Sequence, residues 1–140
     1  MLKKIACINW KKGAGEIIGF GIVMPMLVIL FCGIVSAAQL SMASETLQYA
    51  SYSACRAAVV STDMTTADSR ARTVAEEIIK QNGSIDASTL DVDLTLMDQS
   101  AGWGKGNFVR CDVTVYIDTM MPFTSRNRTA SIIMMVERPA

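Results

Sequence analysis

The sequence has no histidine, and its four cysteines form no Cys-x-x-Cys pair. It contains neither a P-loop nor a Gly-x-Ser-x-Gly turn. Without a nucleophile–base pair or a clustered ligand set, catalysis is not expected. No cofactor, metal or nucleic-acid partner is expected either. Aromatic residues make up only 6% of the chain, and there are three prolines. The most informative absence is of charge: from Ile17 to Ser44 there is no Asp, Glu, Lys or Arg.

About 20 apolar residues suffice to cross the hydrocarbon core of a bilayer, and this uncharged run is longer. Residues 1–16 read as a cytoplasmic basic arm, 17–40 as a transmembrane helix and 41–140 as an extracytoplasmic domain. Lys3, Lys4, Lys11 and Lys12 precede the run, and the first acid is Glu16. The positive-inside rule therefore puts the N-terminus in the cytoplasm and the C-terminal domain outside. Trp10 takes the place of an interfacial aromatic anchor. The apolar core of a cleaved signal peptide is about 7–15 residues long and ends at small residues. The run exceeds that, although Ser36, Ala37, Ala38 and Ala43 supply small residues near its end.

The fold class expected is α+β. The first element is a long N-terminal helix, transmembrane and then amphipathic, unbroken after Pro25 until about Ser61. Met42, Leu47, Ala50, Ala54, Ala57 and Ala58 recur at helical spacing and mark the face that packs on a soluble core. Gly19, Gly21 and Pro25 predict a weakened or kinked segment within the span. A second, shorter helix is predicted over about 66–81, capped by Thr65 and ended by Asn82-Gly83. Ala71, Val74, Ala75, Ile78 and Ile79 form its apolar face.

The period then changes from helical to alternating. Leu90 to Leu96 and Val109 to Ile117 alternate apolar with polar residues, and Ala130 to Val136 gives a third strand. Short links make these three strands an antiparallel meander covering the two helices. Asp91 and Asp93 fall on a solvated outer face. The glycine-rich stretch Gly102-Trp-Gly-Lys-Gly106 joins two strands, which is not the strand-to-helix setting of a phosphate loop. Trp103 in that loop is either a surface contact or a side chain folded back. Cys55 on the long helix and Cys111 on the inward face of the middle strand are either a helix–strand disulfide or two buried free thiols.

The opening stretch resembles the N-terminus of TadE-like proteins, the membrane-anchored pseudopilins of the tight-adherence pilus system. The pattern there is a base, a glycine, four intervening residues, Glu-Phe and a proline five residues after the Phe. Phe20 and Pro25 keep that spacing. The alanine-rich continuation from Tyr49 to Ala58, with Arg56 embedded, is similar to the family's small-residue helix, and the small α+β ectodomain agrees with it. Where the family carries the glutamate, this chain has Gly19, and the nearest acid is Glu16.

The resemblance implies a pseudopilin-like structural or assembly subunit of a Tad-type pilus or related secretion or conjugation apparatus. The membrane, other pilin-like or assembly-platform subunits and a prepilin peptidase would be its partners. Candidate processing positions are Gly13, Ala14, Gly15 and Glu16. Gly19, Gly21, Pro25, Gly33, Ser36 and Ala37 are candidate helix-packing positions, because small residues let helices approach closely in lipid. Two other readings stay open. One is a membrane-tethered extracellular module that binds a ligand through Trp103. The other is a secreted domain released by cleavage near Ala38.

Overall fold

The computed structural model describes residues 10–100 and 102–137. The candidate basic arm residues Lys3 and Lys4, with Cys7, lie outside them. The expected α+β architecture is present. Helix α1 spans Trp10–Val59 and α2 spans Met64–Ile79. Strands β1 (Ile85–Leu96), β2 (Phe108–Ile117) and β3 (Arg126–Met135) follow. They form one antiparallel sheet in the order β1-β2-β3, a meander. A 3-10 turn over Pro122–Thr124 sits in the β2–β3 connection.

Helix α1 runs through Pro25 without interruption. The expected weak point is therefore one missing backbone hydrogen bond, with no break in the helix. Fifty residues at 1.5 Å each make a rod about 75 Å long. From Ile18 to Phe31 every residue is exposed, with no described part of the chain packed on it. From Ala43 onward it is one wall of the core, through Ala43, Leu47, Ala50, Ala54, Cys55, Ala58 and Val59. Met42 was expected on this face and instead points out. One residue further, Ala43 takes the buried position.

Helix α2 buries Ala67, Ala71, Ala75 and Ile79, a stripe with a step of four. Val74 and Ile78 flank the stripe, half-buried. The alanine faces of α1 and α2 join one buried cluster, closed on the sheet side by Val92, Cys111, Val113, Val115 and Ile117. Alanine puts little bulk between two helices, which permits a close approach of their axes. β2 is the central strand and alternates cleanly, with Val109, Cys111, Val113, Val115 and Ile117 inward. β1 begins earlier than its alternation suggests, because the register shifts between Asp86 and Asp91. That bulge disrupts the period-two pattern.

The N-cap of α2 is Asp63, two residues before the expected cap Thr65. Its carboxylate accepts the amide of Thr66 at 3.2 Å and the Thr62 hydroxyl at 3.1 Å, and also the Thr65 hydroxyl. The helix ends at Lys80, and Gly83 has no left-handed backbone. Asn82 instead turns the chain through its side chain: Oδ1 accepts the amide of Ser84 at 3.0 Å. Its amide donates to Thr46 Oγ1 on α1 at 3.0 Å. Arg72 ties α2 to the sheet, donating to the Val92 carbonyl at 3.0 Å and lying 3.9 Å from Asp91.

Hydrogen bonds from Thr65 and then Thr66 hold the Asp63 carboxyl well below the usual carboxylate range. A depressed carboxylate stabilises the fold above its unfolded pKa of about 3.9, and that contribution disappears as pH falls through the native value. Asp63→Ala should lower the melting temperature at pH 7. The gap to wild type should then close below about pH 4, as read by circular dichroism in detergent.

Candidate functional site

The surface most unlike that of a water-soluble domain is the first part of α1. Ile18, Phe20, Ile22, Met26, Ile29, Phe31 and Ile34 are all exposed. Among the described residues α1 is the one helix long and apolar enough to cross a membrane. Gly19, Gly21 and Gly33 lie on this stretch. A Cβ added at any of them would meet nothing within 4 Å. Their small size is therefore not required by packing within the chain, and the space over them is open to an external partner. Pro25 and Ala37 are exposed too.

Ser36 differs from the other candidate packing positions. It is buried, and its Oγ accepts the amide of Met121 at 3.2 Å. Within the chain, Ser36 is thus occupied by its own β2–β3 connection. Gln39, one turn on, accepts the amide of Met120 at 3.0 Å. Neither contact is visible in the periodicity, because 80 or more residues separate the partners.

Gly13, Ala14, Gly15 and Glu16 lie on helical backbone. The helix is already formed at Trp10, the first described residue.

Trp103 is half-buried against the core, and its indole N–H donates to the Ser61 carbonyl at 3.2 Å. Of the two readings left open for Trp103, this geometry is that of a side chain folded back. The loop is held from both sides. Asn107 Nδ2 donates to the carbonyls of Asp98 at 2.8 Å and Gly102 at 2.9 Å. Gly102 and Gly106 adopt φ of +63° and +92°, which a side chain would strain.

The remaining hollows on the domain are shallow grooves. One lies between α1 and α2, lined by Tyr52, Arg56, Val60, Arg70 and Thr73. Arg56 there is ion-paired with Glu137, whose amide donates to the Val59 carbonyl at 3.1 Å. Among the described residues no group of three or more His, Cys, Asp or Glu is gathered to hold a metal.

Residues 18–56 match the family model of TadE-like proteins. The TadE-like segment thus takes in both the bare apolar stretch of α1 and most of its alanine seam. It begins after Glu16 and ends before α2. The resemblance read from Phe20, Pro25 and the run that starts at Tyr49 falls within it as far as Arg56; Ala57 and Ala58 lie beyond. No curated protein and no solved structure matches the chain.

The last alanines of the TadE-like segment flank a cysteine pair. Cys55 and Cys111 are buried free thiols, close enough for each to shift the other's ionisation. That contact and burial push the Cys111 thiol well above its ordinary value. The same contact lowers the Cys55 thiol, so the pair shares its proton unequally, with Cys111 the protonated partner. Exposure to a mild oxidant is expected to join them, with loss of two hydrogens in the non-reduced peptide mass. A crosslink closing about 55 residues would stabilise by about 4 kcal/mol. Alkylation of both thiols after unfolding, with no crosslinked peptide, would leave them as fillers.

Proposed function

We propose that the chain is a membrane-anchored, pseudopilin-like subunit of a Tad-type pilus or a related envelope-spanning apparatus. Its work is mechanical and non-catalytic. α1 holds it in the bilayer and packs against other subunits, while the domain from Ala43 onward offers a folded surface outside. The observation that carries this is the overlap of the TadE-like match with the unpacked half of α1. The lysines before the span support an N-terminus on the cytoplasmic side. Trimming of the basic arm by a prepilin peptidase after Gly13 or Gly15 belongs to the same reading.

The packing would run through Gly19, Gly21, Gly33 and Ala37. In lipid no hydrophobic force draws helices together, so association depends on close backbone approach over small residues. The open space over the three glycines supports this. A carboxylate buried in hydrocarbon is costly unless paired. With Gly19 in the family's Glu position, α1 avoids that cost and forgoes the contact such a group makes.

The ligand-binding alternative loses its main residue, since the Trp103 N–H and ring are engaged internally. Release near Ala38 would sever Ser36 from Met121.

Gly21→Leu tests the packing. The new side chain fits the monomer, so the domain's melting temperature should be unchanged. Association with copies of itself or with co-purifying subunits should weaken by about tenfold, the scale of 1–2 kcal/mol. Undiminished co-purification would refute packing through this face.

A further inference from the structure

The β2–β3 connection is far more tightly built than a link between two strands requires. Thr119 Oγ1 donates to the Met121 carbonyl at 2.9 Å, and the Thr124 amide donates to the same oxygen at 2.9 Å. Ser125 Oγ accepts the Thr119 amide at 3.1 Å and donates to Asp118 at 3.0 Å. The 3-10 turn over Pro122–Thr124 completes the frame. This frame holds its apolar side chains outward: Phe123 is 79% exposed and Met120 59%. Preorganised polar bonds that present large apolar groups to the outside mark a contact surface.

The loop's place along α1 identifies the partner. The amides of Met120 and Met121 are bonded to Gln39 and Ser36. Those two residues lie just where the unpacked stretch of α1 ends. Residues 18–35 span about 27 Å, close to the ~30 Å thickness of a hydrocarbon core. Ser36 and Gln39 therefore fall at the edge of the bilayer, and the loop is fixed at that depth. Arg126, exposed at the first position of β3, lies just beyond the loop. A cation there suits the level of lipid phosphates.

We propose that the 120–123 loop is a second membrane contact. Phe123 and Met120 enter the interfacial layer of the leaflet through which α1 leaves, and Arg126 meets the phosphates. The partner is a phospholipid bilayer. One helix alone leaves a domain free to swivel about its axis. A second contact, rigidly bonded to that helix, fixes which face of the domain is turned to the membrane. The proposal rests on the membrane placement of α1 and is independent of the pilus role.

Brominated-lipid quenching tests it. The full chain is reconstituted in vesicles of phosphatidylcholine and phosphatidylglycerol, with bromine on the acyl chains. Phe123→Trp is compared with Phe31→Trp in the span and with Met97→Trp, exposed at the far end of the sheet. Quenching is read as the increment over the parent's Trp10 and Trp103. The expected result is strong quenching at 31, none at 97, and an increment at 123 several-fold above that at 97. Met120→Trp should repeat the result at 123.

Quenching at 31 with position 123 indistinguishable from 97 would overturn the loop contact and leave the membrane placement standing. A blue-shifted but unquenched emission at 123 would mean that the loop faces another protein chain, and would overturn the proposal too. Absence of quenching at 31 would remove the membrane placement itself.

Discussion

A single uninterrupted helix has to satisfy two solvents. Among the described residues nothing covers the stretch of α1 from Ile18 to Phe31, and the last part is the wall on which the domain is built. Every other element is placed by that wall. α2 lies against its alanines, and the sheet closes over the gap with Val113, Val115 and Ile117. The C-terminal end of the described chain returns to it through Arg56 and Glu137. Alanine gives little burial energy per residue, so the seam depends on repetition and close approach, with β-branched residues filling the sheet side. Enlarging one alanine pushes on both α2 and the sheet, because packed interiors have few voids to take up bulk.

Composition changes along this rod according to what surrounds it. Before Ser36, glycines occur where a Cβ would have had room, so intrachain packing does not explain them. After Ala43, small residues occur where the interior demands them. Between the two lies a short polar step, Ser36 and Gln39, whose side chains receive the amides of the β2–β3 loop. That step joins the span to the domain. It makes the orientation of the sheet relative to α1 a matter of specific hydrogen bonds as well as of apolar contact.

Much of this was legible in the sequence because it is periodic. The uncharged run, the alanine spacing from Ala50 to Ala58 and the alternation of β2 each read directly. Features set by single side chains were not. Asp63 caps α2, but Thr65 offers the same chemistry two residues later. Asn82 turns the chain by its side chain, where Asn-Gly suggested a glycine cap. The bulge in β1 hides its first half from any period-two reading. Of the candidate site, the glycines and the cysteine pair were visible. The docking of Met121 on Ser36 and the folding back of Trp103 were not, since long-range contacts leave no local pattern.

The membrane span and the spine of the domain are read here as one helix that stays whole in the mature protein. Intact mass and N-terminal sequence of the protein isolated from its native membrane decide this. A first residue at or before Glu16 is expected, with the span still attached to the domain. A first residue near Gln39 would mean that the apolar stretch is discarded and that Ser36 never meets Met121 in the working molecule.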